Sequence, residues 1–475
     1  MRFLGLSTSL LGLVALSCFD PRFGDEPFAC GDSGDSGDNG ACPPGYECDH
    51  ARNACVRKGA RMDASTTSDA TGQDGGTADA ASCTPSTTAC QGDNLVSCDA
   101  SGVATVTPCL LGCNPTPTPE CRVLSPTNLL ASTCETAGGG SLTLGTSETL
   151  LIDTSLDALP ARRDRCNFIK SQPGGAPEIC IVKFDNVTIP AGAKLSASGN
   201  RVLAIVATGR MNIGGTIDVG AEAATDGPGG ATSAAAGEAG SSDQDGGGGG
   251  GNGFGGGSGA RGDRADGPKG GRMIEDNTLS PLRPGGRGGS NGATLVNLVA
   301  LGGGAGGGLQ LVSCGELLIG QGAVIDAGGG RGQGGRALTG LSSGGGGGGS
   351  GGNILIEAAR VTISGTVVAN GGGGGEGSAK APSSVAGMDG ADGSRTLSPA
   401  PGGNSATLSG GEGGAGGARN ARAGDGQPPA NSANGAGGGG GAVGRIRIHV
   451  RVGTSPTTTG AVVSPAPVIG AVGTR

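Results

Sequence analysis

Unbroken glycine runs constrain this chain more than any other feature: GGGGGG at 246–251 and 344–349, GGGGG at 371–375 and 437–441. Glycine brings no side chain to a core and loses more backbone freedom on ordering than any other residue. Such runs therefore build neither a hydrophobic core nor a stable helix. Two states remain. One is disorder; the other is a polyproline-II-type helix, three residues per turn, packed closely on its neighbours. GGEGGAGGA at 410–418 and GGRGGS at 285–290 carry a period of three, which suits the second. Both states stay open at this point.

Composition narrows the rest. Glycine supplies 107 of 475 residues, against an average near 7%. There is no Trp, one Tyr and seven Phe, so any core must be aliphatic. The length allows two or three domains. With 32 basic and 40 acidic residues and a net charge of −8, charge gives no case for nucleic-acid binding.

Between the glycine runs lie short segments of alternating apolar residues. Four can be laid over one another, starting at Leu203 (LAIVATGRMNIGGTIDVGA), Leu309 (LQLVSCGELLIGQGAVIDAGG), Ile354 (ILIEAARVTISGTVVANGG) and, as a partial copy, Ile446 (IRIHVRV). The stretch from Ile179 to Gly199 follows the same plan more loosely. Period-two alternation means strands with one buried face. Three short strands in roughly twenty residues, repeated, predict a parallel β-helix whose turns stack into one core. The expected fold is mostly β: a short parallel β-helix-like solenoid over 134–475, with glycine-rich insertions at about 220–294, 327–352 and 371–443. In GRIRIHVRV (444–452), Ile446, Ile448, Val450 and Val452 should face the core. Arg445, Arg447, His449 and Arg451 should face water, making His449 a surface residue.

The start of the chain is of another kind. MRFLGLSTSLLGLVALSC has one basic residue, an apolar run and small residues before Cys18, the pattern of a secretory signal and too short for a transmembrane span. ALSC (15–18) resembles the lipobox of bacterial lipoproteins. That resemblance implies that 1–18 is a signal peptide and that Cys18 carries the lipid (palmitate among its acyl chains). The protein would then be exported and lipid-anchored at the bacterial outer membrane or cell surface.

Fifteen cysteines are an odd number; without Cys18 the remainder falls into even groups. These are Cys30, Cys42, Cys48 and Cys55 in a module over 19–60; Cys83, Cys90, Cys98, Cys109, Cys113 and Cys121 in a second over 83–121; and Cys134, Cys166, Cys180 and Cys314 beyond. Even groups in an exported chain read as disulfides. Modules this small need them in place of a core. The connectivity is open from spacing alone. Wide gaps between the first four cysteines argue against zinc. Residues 61–82 are small, polar and aperiodic, a flexible linker. NLVSC and ATVTPC predict a hairpin around DASG. CPPGYEC (42–48) loosely resembles epidermal-growth-factor-like modules, and the second module resembles cysteine-rich repeats beside lipoprotein signals in myxobacterial surface proteins. The GGX triplets resemble the polyglycine-II bundles proposed for glycine-rich surface proteins.

Catalytic motifs carry little weight here. Gly251, Gly253 and Gly256 match a dinucleotide spacing without its strand and helix. Gly-x-Ser-x-Gly patterns around Ser290, Ser342 and Ser350 need a histidine, and the two present, His50 and His449, lie in unrelated segments. RGD at 261–263 sits in a tract rich in those residues. Asp218 and Asp326 occupy one position in two copies, with Val368 in the third. As strand-end residues they read as solvated turn carboxylates; stacked, they are candidates for calcium binding or acid–base work. No cofactor, metal or catalytic residue is therefore expected. The expected role is structural or adhesive, with envelope polysaccharide or other surface proteins as partners. The alternative is a β-helical polysaccharide lyase or hydrolase, which a groove lined by acidic and basic side chains on one sheet face would favour.

Overall fold

The computed structural model describes residues 46–49, 54–57, 83–159, 162–262, 266–380, 385–405 and 410–475. Cys18, Cys30, Cys42 and the linker 61–82 lie outside them. The chain divides into two compact units, Met1–Asp79 and Ala80–Arg475. In the first, Tyr46–Asp49 and Ala54–Arg57 form an antiparallel hairpin that sets Cys48 and Cys55 at facing register positions. The remaining description concerns the second unit.

Regular structure is almost all strand; the described helices are single turns at Ala131–Cys134, Ser233–Ala235 and Val296–Leu298. Parallel pairing dominates. One row runs Ile179–Phe184, Val202–Ala207, the start of Gly308–Ile319, the start of Asn353–Ile363, Arg445–Val450 and Val468–Ala471. A second row runs Leu142–Thr143, Val187–Ile189 and Met211–Ile213, then the ends of the two long strands. These rows share one sheet. A separate six-stranded sheet stacks Thr149–Asp153, Lys194–Ser198, Thr216–Asp218, Val324–Asp326, Thr366–Val368 and Val462–Ser464. Phe168–Lys170 ends the large sheet antiparallel to Ile179–Phe184.

Register follows the apolar pattern. Leu203, Leu309, Ile354 and Ile446 are successive partners, and so are Ile205, Leu311, Ile356 and Ile448. In the smaller sheet Ile217, Ile325 and Val367 do the same. All are buried in one aliphatic core. A one-residue slip would turn every such side chain outward, so the pattern fixes the register.

The large sheet is buried on its second face as well. Leu124, Leu129, Leu279, Leu282 and Val472 pack on Ile179, Ile181, Val202 and Val206. This cover corrects the sequence-based expectation for 444–452. His449 is 6% exposed, because the cover reaches the face expected to meet water. Val452, expected in the core, lies beyond the strand's end at Val450 and is 72% exposed. The cover is tied down by Cys134–Cys314; the partner cysteine sits where the register shifts between Ser313 and Glu316. Cys166–Cys180 joins the antiparallel end strand's approach to the sheet. The six-cysteine segment belongs to the same compact unit. Thr88–Gln91, Asn94–Cys98 and Ala104–Pro108 form an antiparallel sheet, closed by Cys83–Cys98, Cys90–Cys113 and Cys109–Cys121. The turn at 99–102 is the DASG segment, held by Asp99 Oδ1 accepting from the Ser101 and Val103 amides.

The glycine runs are ordered. They leave after the short strands of the six-stranded sheet and return directly into Gly308, Asn353 and Arg445. Within 344–352 the amide donors turn through three directions. Gly345, Gly348 and Gly351 donate to Ala436, Gly439 and Ala442; Gly346, Gly349 and Gly352 to Gln333, Gly330 and Ala327; Gly347 and Ser350 to Gly289 and Gly286. Its carbonyls accept from three further tracts, through Gly247 and Gly250, Gly303 and Gly306, and Gly372 and Gly375. The run is thus enclosed, every residue of it buried and every buried amide paired. None of these glycines has positive φ. What demands glycine is close approach: a Cβ on Gly348 would lie 2.1 Å from the Gly372 carbonyl oxygen. At the bundle's rim the sequence changes to GGX. Glu412, Ala415 and Arg287, at third positions, are exposed, while Gly411, Gly414 and Gly288 are buried.

Candidate functional site

On the outer face of the six-stranded sheet, alternation points Ser196, Ser198, Asp218 and Asp326 away from the core. The segment around Asp392–Arg395 crosses above them and closes a cleft of about 600 Å³. Asp218 and Asp326 are direct register partners, with Val368 next. Adjacent strands lie about 4.8 Å apart, so the two carboxylates stack. They are not the solvated turn residues that strand-end position suggests: Asp326 is 5% exposed.

Arg395 bridges the pair. Its Nε donates to Asp326 Oδ2 at 2.6 Å and its Nη2 to Asp218 Oδ2 at 3.0 Å. Lys194 Nζ reaches Asp218 Oδ2 at 2.8 Å, and the Gly220 and Gly328 amides donate to the remaining oxygens. Neighbouring acids are also engaged: Asp226 by Arg287 and Asp392 by Arg331. Burial pushes the Asp326 carboxyl above the usual aspartate range; Asp218 adds to the shift and Arg395 opposes it. Such a set can bind polar groups and can hold a proton at Asp326. Its carboxylates are already neutralised by fixed cations, which leaves a divalent cation little to gain. Among the described residues, no group of three or more His, Cys, Asp or Glu is placed to hold a metal ion.

A second polar cluster lies inside the molecule. Glu357 and His449 are register partners on the outward face of the large sheet, under the cover segment. Glu357 is fully buried and accepts from the Thr127 amide and hydroxyl and from Gln310 Nε2. His449 Nδ1 lies 3.1 Å from Glu357 Oε1, and Arg447 Nε donates to His449 Nε2 at 2.6 Å. With Nε2 accepting, Nδ1 is the ring nitrogen placed to donate to Glu357. Glu357 and His449 are buried, while Arg447 lines a groove beside Arg445. The cluster pins the 124–129 segment to the sheet.

Ser290, Ser342 and Ser350 stand in the glycine bundle. Ser342 donates to the Ala433 carbonyl, Ser350 to that of Gly351, and Ser290 accepts through its carbonyl from the Gly240 amide; among the described residues none is bonded to a histidine. Sequence reasoning singled out the Asp218–Asp326 stack and missed its counter-ion, since Arg395 arrives from a distant loop. It also missed Glu357 beside His449, although superposing the copies at Ile354 and Ile446 brings the two into line.

No protein-family model matches the chain, and neither a curated protein nor a solved structure is similar to it. No helix among the described residues is long and apolar enough to cross a membrane.

Proposed function

We propose that the chain is a non-enzymatic lipoprotein of the bacterial cell envelope with a structural or adhesive surface role. Lipid at Cys18 would be its membrane anchor, and envelope polysaccharide or other surface proteins its partners. The three strand rows support reading the sheets as a short parallel β-helix. The interlocked glycine tracts support a polyglycine-II-like bundle carried on its side. The observation that carries the function is the bundle itself, where backbone bonding in three directions makes a stiff body with almost no side chains. Its turns project exposed aliphatic residues, including Val296, Leu338 and Leu341, which suits many weak contacts. The test is expression of the full chain in a Gram-negative host with an alkyne fatty acid. Labelling that disappears in Cys18→Ser, with protease-accessible protein on intact cells, is expected; labelling that persists removes the anchor.

A second reading has one observation in its favour. The cleft at Asp218 and Asp326 is a groove of acidic and basic side chains on one sheet face, as a glycan-cleaving enzyme would need, and burial raises its Asp326 carboxyl above the usual aspartate range. Reducing-end or unsaturated-product release from a polysaccharide panel, lost in Asp326→Asn, would establish that reading.

A further inference from the structure

A second groove, of about 270 Å³, runs between Arg445–Val450 and the segment 253–279. Its distinguishing feature is three arginines, Arg419, Arg445 and Arg447, that form no ion pair among the described residues. Arg445 makes no side-chain hydrogen bond or ion pair among the described residues, and its Nη1 is buried with no partner. Burial draws its pKa down, and the charge of Asp276 opposes this. Arg447 is held in place, donating to His449 Nε2 and, through Nη1, to the Asn277 carbonyl at 2.8 Å; neither acceptor is a carboxylate. Arg419, exposed at the rim, is fixed in a left-handed backbone conformation (φ 53°) while its amide donates to Ser464 Oγ. Glu275 is the one carboxylate lining the groove. In the Asp218 cleft, by contrast, Arg287, Arg331 and Arg395 each have a carboxylate.

A guanidinium carries five donors in a fork that matches a carboxylate, and leaving a buried donor idle is unfavourable. Phe254 and Met273 supply apolar surface beside the arginines. Both edges of Arg445–Val450 are already paired, to Asn353–Ile363 and to Val468–Ala471. A peptide therefore cannot add as a strand to Arg445–Val450, whose contribution to recognition runs through its side chains.

We infer that this groove binds the carboxylate of an acidic sugar unit in a polysaccharide, Arg445 and Arg447 taking the carboxylate and Phe254 and Met273 the ring. The site follows from the groove; only the choice of a glycan as ligand source rests on the surface-contact reading. Envelope labelling tests that reading separately, because the experiment here uses purified protein.

The full chain is titrated calorimetrically with a galacturonic-acid tetrasaccharide, with its methyl ester, and with tetraglutamate. The expected result is saturable binding of the acid, at least tenfold weaker binding of the ester, and weakening by added salt. Arg445→Gln and Phe254→Ala should each weaken binding at least tenfold, and exposed Arg419→Gln less. Arg445→Gln should also raise the ligand-free melting temperature, since it removes an unpaired buried charge; an arginine kept for structure would show a fall. Equal binding of acid and ester, no binding at all, or unchanged binding in Arg445→Gln overturns the site. Binding of tetraglutamate as tight as that of the sugar overturns the glycan assignment.

Discussion

Two ways of filling space stand side by side in this molecule. In the aliphatic stack, Leu203, Leu309, Ile354 and Ile446 bury side chains on one another, each worth about 1.5–3 kcal/mol. In the glycine bundle, residues such as Gly345, Gly348 and Gly351 bury only backbone. A hydrogen bond there nets about 0.5–1.5 kcal/mol, while fixing a residue's backbone costs about 1–2 kcal/mol and glycine loses the most. The bundle cannot be expected to order alone. Its tracts run straight into strands of the stack, at Gly308, Asn353 and Arg445, and those strands hold the tract ends in place. Stability flows from one region to the other through these chain connections and through Leu279 and Leu282, which pack on the large sheet.

The comparison can be broken most forcefully from the stack. Ile448→Asp removes a fully buried side chain, where truncation alone costs about 2–5 kcal/mol, and adds the desolvation of a carboxylate. Denaturant unfolding of the full chain should show a loss beyond that range, with the bundle's amides losing hydrogen-exchange protection at the same time. Bundle amides that stay protected would mean that it stands by itself.

Next comes the covalent tie between cover and sheet. Replacing Cys134 and Cys314 together by serine opens a disulfide that spans 180 residues, and should cost about 2–5 kcal/mol in the same unfolding measurement.

The bundle's own sensitivity is sharpest at Gly348→Ala, where one methyl group meets a backbone oxygen. Overpacking of this kind costs about 1–3 kcal/mol, whereas Ala415→Ser, at an exposed rim position, should stay within about 0.5 kcal/mol. Equal melting temperatures for the two variants would mean that the tracts are not closely packed.

His449→Ala tests the cover. It strips buried Glu357 of a partner, which should cost about 1–3 kcal/mol, where a residue facing water would cost almost nothing.

The smallest effect is one of pH. Burial raises the Asp326 carboxyl in the folded chain, so the folded state holds that proton more tightly than the unfolded state. The resulting stability is fully present below the unfolded value of about 4 and is lost as pH rises through the raised folded value. Asparagine does not titrate. The stability of the parent minus that of Asp326→Asn should therefore fall as pH rises above about 4. A flat or rising difference would sink the assignment.

Much of the stack was legible because its signal is local. Period-two alternation names the inward residues, and the four aligned starts turn out to be register partners. The cover was not legible. Leu124, Leu279 and Val472 carry no periodicity and come from separate parts of the chain, so nothing near His449 announces that its face is roofed. Arg395 was hidden for the same reason: ion pairs closed by a loop leave no mark in the spacing. The bundle lay between these cases. Its period of three is visible in GGX triplets, but a pure GGGGGG run has no phase to read. The contrast between Arg287 or Glu412 outside and Gly348 inside separates rim from interior only once the neighbours are known.

The three-way rotation of donors along 344–352 sets a rule for how such a protein can change length. Deleting one glycine turns every later amide in the tract through a third of a revolution, so that Gly348 would address the tract that Gly349 or Gly347 served before. Deleting three restores each amide to its own direction. Low-complexity sequence is commonly treated as free to gain and lose residues singly. In these tracts the permitted step is a triplet, and a reading frame of geometric origin lies over the genetic one.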